Sequence, residues 1–473
     1  MTTLQSKKSK AIGPNDIISV HGQYLYKPDG SRFFMKGIAF PVPLKEVYNS
    51  TAWIGLLEQL HSYDLDYNTV RIYSMDPEID YSEFFRAAAK FGVYVIVPLT
   101  SRAGDGVLGR NTPAPRCYRQ KLYEYGISAL RNYMRYSNVL AGLLANEVMN
   151  TEDTWTAAPC IKAYARDLKL YMHRRNWRPL PLIYAAQHSG IGSLGIDGTM
   201  WLTLNYLTCR SGDNTRGRIV ASREEEVASS IDIFGVNIES WCSSQSSFIR
   251  NEDGTAGSYY SLWLDLHQST VPLVLTEMGC SHTLFDRDNG LHTPEGTRDW
   301  KQVHSVLHDM SDTWSGFCAY AYSGGLDFDI FKGGPWTSDS LEPTQDFWNF
   351  RDVLKDEIKL DYSSRDRPND FERFFIPRCA QIEEELQSCC DINLYPVSKI
   401  PSYEQISFSK GRALEIRHRF GLKHLGPFHL HRFGLKHLGP FHFLLFMAAM
   451  LVLLSFMCKR LMTRRNSRYQ QID

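Results

Sequence analysis

No Cys-x-x-Cys pair occurs in this sequence, which removes a zinc ribbon and a thioredoxin-like redox motif from consideration. Net charge is also missing. The 52 Lys and Arg residues balance the 52 Asp and Glu residues, so there is no basic surplus of the kind a nucleic-acid-binding domain needs, and no nucleic acid is expected as a partner. No Gly-x-Gly-x-x-Gly follows any early strand-like run, which argues against a dinucleotide-binding sheet. The opening stretch MTTLQSKKSKAIGPND lacks an apolar run and does not read as a secretory signal peptide.

What is present fits a globular enzyme-sized chain. The 473 residues suit one large barrel plus an appendage, and the 43% hydrophobic and 22% charged content is ordinary for a folded protein. Aromatics reach 13%, which serves a sugar-binding cleft or a core equally well. Ten cysteines are too few for a disulfide scaffold. They suit either a few disulfides in a secreted enzyme or scattered buried thiols in a cytosolic one.

Between residue 33 and about residue 360 short apolar runs alternate with helix-like stretches. The runs are 32–40, 69–73, 93–99, 139–147, 181–186, 231–238, 271–277 and 314–322. Continuous β-branched runs of this kind suit strands buried on both faces of a parallel sheet. Helical stretches lie between them, such as YSEFFRAAAKFG (81–92), with Gly92 as its C-terminal stop, and YEYGISALRNYMRYS (123–137). Eight strands alternating with helices predict an α/β fold of the (β/α)₈ TIM-barrel class.

Beyond the barrel the character changes. Residues 361–417 are polar and broken by proline, and read as a cysteine-containing tail packed on the barrel or as a linker. HRFGLKHLGPFHL (418–430) is repeated almost at once as HRFGLKHLGPFHF (431–443). His418, His424 and His429 are not spaced to make one compact metal site, so a duplicated stalk is the simpler reading. FHFLLFMAAMLVLLSFMC (441–458) is near the lower length limit for a single transmembrane helix, and KRLMTRR (459–465) supplies a basic cap that would face the cytoplasm. The expected organisation is an N-terminal segment (1–20), the barrel (21–360), the tail (361–417), the stalk (418–443), a membrane-spanning helix (441–458) and a basic cytoplasmic tail (459–473).

Barrel active sites lie at the C-terminal ends of the strands. Two of the eight runs end in glutamate: run four at Glu147, directly after Asn146, and run seven at Glu277. Either glutamate alone reads equally well as the start of an exposed loop. Together, on opposite sides of a barrel, they can aim two carboxyls at one point. A retaining glycosidase needs such a pair, roughly 5–5.5 Å apart, one attacking the anomeric carbon and one shuttling a proton. The nucleophile must stay ionised and the acid/base must hold a proton. Asn146 suits a hydrogen bond to a sugar 2-hydroxyl. No metal or organic cofactor is implied, because two carboxylates suffice for this chemistry.

At these residues the chain resembles glycoside hydrolase family 72, the β-1,3-glucanosyltransferases typified by fungal glycolipid-anchored cell-wall enzymes. The resemblance is carried, in family order, by FFMKGIAF (33–40), NTVRIYSMDPEIDYSEFF (68–85), GVYVIVPL (92–99), LLANEV (143–148), YLTCRSGD (206–213), FGVNIESWC (234–242), VLTEMGC (274–280) and WSGFCAYAYS (314–323). It implies cleavage within a β-1,3-glucan, a glycosyl-enzyme at Glu277, and transfer to a second glucan activated by Glu147. Donor and acceptor β-1,3-glucan are thus the expected partners. Asn146 and Tyr73 match family substrate contacts, and Tyr320 sits where a sugar-stacking tyrosine is expected. Arg71 could hold the nucleophile ionised or make a structural ion pair. Cys242 and Cys280 match a family disulfide. Cys209 matches another that ties the barrel to its tail, with Cys379, Cys389 or Cys390 as partner. A further family disulfide is missing at both ends, with no cysteine between residues 45 and 60 and Phe84 in the other slot.

Departures from the family pattern occur at three places. Phe40 and Pro41 replace a Tyr-Gln pair, Pro98 stands where an aspartate contacts sugar, and Ile238, Glu239 and Ser240 replace a stretch with a nucleophile-binding tyrosine. A plain retaining β-glucan or β-mannan hydrolase and a non-catalytic glucan-binding membrane protein are therefore the competing readings. Asn49, in Asn49-Ser50-Thr51, is the one N-glycosylation acceptor pattern. It favours a barrel at the cell surface or in the secretory lumen over a tail-anchored cytosolic one.

Overall fold

In the computed structural model the described residues are 10–41, 49–102, 104–188, 199–209, 229–239, 248, 258–279, 298–324, 328–333, 341–357 and 376–409. All but Ser409 belong to one structural unit, Met1–Phe408. A two-stranded antiparallel hairpin, β1 (Ser19–His21) and β2 (Tyr24–Tyr26), comes first. Eight parallel strands then close into a barrel: β3 (Met35–Phe40), β4 (Thr69–Ile72), β5 (Tyr94–Pro98), β6 (Val139–Asn146), β7 (Leu182–Gln187), β8 (Ile233–Ile238), β9 (Leu273–Met278) and β10 (Trp314–Ala319), with β10 pairing β3. Each of the eight apolar runs of the sequence holds one of these strands. The hairpin was not expected, because three-residue strands carry almost no periodicity, and β1 straddles the boundary placed at residue 20.

Two apolar layers hold the barrel. Met35, Tyr94, Ile96, Leu140, Ile183 and Val274, from the barrel strands, meet Leu25 of the hairpin and Ile18 just before it in the inner cluster. The other faces of the strands pack against the helices in a larger, continuous core. The seam between β3 and β10 is tight. Gly316 has φ of +108°, and a Cβ there would fall 2.0 Å from the Met35 carbonyl oxygen, so only glycine closes the barrel at this point.

The helices follow their apolar spacing. Helix α1 (Ser50–Ser62) buries Trp53, Leu56, Leu57 and Leu60 on one face, at about 1.5–3 kcal/mol for each side chain. Asn49 caps it, the side chain accepting from the Ala52 N–H. Helix α2 (Ser82–Lys90) is shorter at both ends than the sequence suggested. It stops at Gly92 (φ +74°), where Val93 N–H reaches the Ala88 carbonyl. Helices α3 (Gln120–Tyr133), α4 (Ala158–Arg174), α5 (Thr199–Thr208), α6 (Ser258–Leu266) and α7 (Gln345–Glu357) follow. A further hairpin, β11 (Phe331–Gly333) with β12 (Leu341–Pro343), precedes α7.

The described part of the tail in this unit comprises α8 (Cys379–Cys390) and the stretch to Phe408, and its residues 397–404 pack on α4. That is why α4 is buried on nearly every side. Asp167 on α4 accepts hydrogen bonds from Tyr118 Oη at 2.8 Å, Ser402 Oγ at 2.8 Å and the Tyr403 N–H at 2.7 Å, and pairs with Arg166. A disulfide from Cys209 to Cys379 fixes the same junction, which settles the partner of Cys209. Cys389 and Cys390 bond to each other, and Cys117 bonds Cys160, a pair the sequence did not suggest. Where the further family disulfide is lacking, Trp53 and Phe84 meet edge to face, their ring centroids 5.4 Å apart. Among the described residues no helix is long and apolar enough to cross a membrane, and the stretch 441–458 lies outside them, as do the repeats.

Candidate active site

A cleft of about 690 Å³ opens at the C-terminal ends of the barrel strands, and Glu147, Glu277, Asn146, Tyr73 and Tyr320 all line it. Two irregularities in the strands set up the site. The register of β6 against β7 shifts between Leu143 and Ala145, and that of β8 against β9 shifts between Val236 and Asn237. Such bulges re-aim the residues that follow them, here Asn146 with Glu147 and the Asn237–Glu277 pair. Glu147 then leaves the strand in a left-handed conformation (φ +50°), anchored by its N–H to the Ala185 carbonyl at 2.8 Å. That geometry costs about 1 kcal/mol or more and concentrates at functional positions.

A single hydrogen-bonded chain links the two glutamates. Arg71, fully buried on β4, donates from Nη1 to Glu277 Oε1 at 2.9 Å and from Nη2 to Asn146 Oδ1 at 2.6 Å. Asn237 Nδ2 donates to Asn146 Oδ1 at 3.0 Å and to Glu147 Oε1 at 2.9 Å. Thr276 Oγ1 donates to Asn237 Oδ1 at 2.7 Å, which orients the amide so that its nitrogen faces the carboxyl. Tyr73 Oη adds a second donor to Glu277 Oε1 at 2.8 Å, and its ring lies under the Arg71 guanidinium at 4.2 Å. Tyr320 stands edge-on to Tyr73, centroids 6.2 Å apart.

The electrostatics are those of a charge-dense cleft in which Arg71 and Glu277 are buried. Burial pushes the Glu277 carboxyl above its usual range, and the Glu147 charge adds to this. Arg71, Tyr73 and a hydrogen bond from Glu239 pull in the other direction. Arg71 therefore contacts Glu277 as expected, but burial rather than the cation sets the net direction. Burial also keeps Tyr73 a neutral phenol, able to donate. The buried free thiol of Cys318 is pushed up to about 12 by the same desolvation and stays protonated. His188, at the end of β7, is held down at about 4 by burial and is neutral near pH 7.

The six residues expected at the site, Glu147, Glu277, Asn146, Tyr73, Tyr320 and Arg71, are thus brought together. Pro98 lines the cleft as well. Asn49 is elsewhere, at the start of α1, and Cys242 and Cys280 lie outside the described residues. Sequence reasoning passed over Asn237 and His188 and named Glu239 only as a departure. The available signal for Asn237 was a lone amide in the run IDIFGVNI, whose only other polar side chain is Asp232 near its start.

The profile of glycoside hydrolase family 72, described as glucanosyltransferase, matches residues 7–350. The chain belongs to this family. Among curated relatives, Protein EPD1 of Candida maltosa is 29% identical over 334 residues, covering 68% of this chain and 51% of that protein. The 1,3-beta-glucanosyltransferase GAS5 of Saccharomyces cerevisiae is 27% identical over 317 residues, covering 65% of this chain and 56% of that protein. The chain spans about half the length of the curated relatives it matches. Saccharomyces cerevisiae Gas2, solved in complex with laminaritetraose and laminaripentaose, superposes with a TM-score of 0.56 at 23% identity, covering 73% of this chain and 68% of that one. The likeness to Gas2 is one of fold.

Proposed function

We propose that the protein is a retaining β-1,3-glucanosyltransferase, with Glu277 as nucleophile and Glu147 as acid/base. The observation that carries this reading is the Arg71–Asn146–Asn237 chain, which holds both glutamates in one cleft of a glucanosyltransferase-family barrel. Glu277 attacks the anomeric carbon and the glycosidic C–O bond breaks. Glu147 gives its proton to the departing sugar oxygen. A hydroxyl at the end of a second glucan then attacks the glycosyl-enzyme, passing its proton to Glu147 and releasing Glu277. Asn146, fixed by Arg71 and Asn237, offers its amide to the sugar, and Tyr73 and Tyr320 offer ring faces and hydroxyls along the cleft. The names of the relatives, several of them 1,3-beta-glucanosyltransferases, support β-1,3-glucan as donor and acceptor.

We further propose that the barrel lies in the secretory lumen or at the cell surface, in a single-pass membrane protein that would cross the bilayer at 441–458 with its basic C-terminus in the cytoplasm. The three disulfides among the described residues support an oxidising compartment, and Asn49 is the residue to be glycosylated there.

The test is to incubate the full chain with a reduced β-1,3-gluco-oligosaccharide and resolve the products by mass. Products longer than the substrate are expected, with turnover reduced roughly a hundredfold or more in Glu147→Gln and in Glu277→Gln. Short products alone would make the protein a hydrolase. Binding without turnover would make it a lectin.

A further inference from the structure

Glu239 follows β8 directly and lines the same cleft as Glu277 and Glu147, so three carboxyl side chains are gathered there. Ionised carboxylates offer only acceptors and repel one another, so a proton held on one of the neighbouring pair relieves the repulsion and supplies a donor. The surroundings decide where the proton sits. Glu277 receives donors from Arg71 and Tyr73, both of which favour its anion. The charges acting on Glu239 among the described residues are those of Glu277 and Glu147, both negative. As a residue Glu239 is exposed where it faces the cleft.

We propose that Glu239 is a proton-carrying positioning residue, whose carboxylic acid donates a hydrogen bond to Glu277 in the active enzyme and whose ionisation switches the site off. The inference rests on Glu277 being the nucleophile. While Glu239 is protonated, its O–H steadies the attacking carboxylate without adding charge. Once ionised, it offers no donor and repels Glu277 from hydrogen-bond distance. Burial, then the Glu277 charge and the shared hydrogen bond, push the Glu239 carboxyl up to about 7. The proton is therefore present below that pH and lost above it. Among the described residues the other titratable groups of the cleft are Glu147 after β6, Arg71 and Tyr73 on and after β4, Arg102 and Arg110 after β5, Tyr320 after β10 and neutral His188 after β7.

The experiment is the pH profile of kcat/KM for the full chain, for Glu239→Gln and for Glu239→Ala. The carboxamide keeps a donor at every pH and cannot ionise. The expected result is that the parent loses activity with a limb near 7, and that Glu239→Gln carries this limb upward by about one pH unit or more while keeping turnover within about tenfold at low pH. Glu239→Ala, lacking the donor, falls about tenfold or more across the range. Infrared difference spectra provide a second readout, independent of turnover. A protonated carboxyl band that disappears as pH rises through about 7 should be absent from Glu239→Gln. An unchanged alkaline limb in Glu239→Gln, or full activity in Glu239→Ala, would overturn the proposal. Loss of all turnover in the parent chain would instead strike at the transglycosylase reading.

Discussion

Asn237 is the hinge of the site at the scale of single residues. Its amide nitrogen serves Glu147 and Asn146 together, while Thr276 fixes its oxygen. Replacing it by alanine leaves Glu147 without its donor and lets Asn146 turn. In Asn237→Ala, kcat should fall about tenfold to a hundredfold with KM little changed, measured by steady-state kinetics on a β-1,3-gluco-oligosaccharide. An equal change in KM alone would assign Asn237 to substrate binding. Glu147 and Glu277 were legible in the sequence because each ends a strand-like run. Asn146 was legible as the amide beside Glu147, and Arg71 and Tyr73 came with the family resemblance. Asn237 was not legible, since a polar residue inside an apolar run gives no sign of which face it takes. Glu239 was visible only as something missing, because its role depends on a second carboxyl reached from another strand.

Each barrel strand was readable as an element from its β-branched run, since parallel strands covered on both faces must be apolar throughout. Strand register was not readable. The shifts at Leu143/Ala145 and Val236/Asn237 leave no local signature, yet they set the aim of the catalytic strands. Helix pairing offers a direct test. Trp53 on α1 stacks on Tyr81 and meets Phe84 of α2 edge-on, all three fully buried. Phe84→Ala should cost about 3–5 kcal/mol in denaturant unfolding by opening a cavity between α1 and α2. A loss below about 1 kcal/mol would mean that the two helices are held by something other than this aromatic contact.

For the whole molecule, the barrel and its tail fold as one unit through 408. Among the described residues they are fastened by Cys209–Cys379, by Asp167, by Arg166 on the Ile400 and Pro401 carbonyls, and by Glu404 with Tyr123 and Arg174. Asp167→Ala leaves Arg166 buried without its acid and frees Ser402 and Tyr403, so the segment near residue 400 should become readily cleaved by protease while the barrel remains folded. The polar, proline-broken tail suggested an appendage, but its docking partner could not be read, because Asp167 looks like any charged residue of an amphipathic helix. The central claim is that Glu277 carries the sugar. A β-glucosyl fluoride bearing fluorine at C2 slows release of the glycosyl-enzyme more than its formation, so digestion and mass spectrometry can locate the adduct. The account predicts one added sugar on the peptide containing Glu277, absent in Glu277→Gln. An adduct on Glu147 or on Glu239 would contradict it.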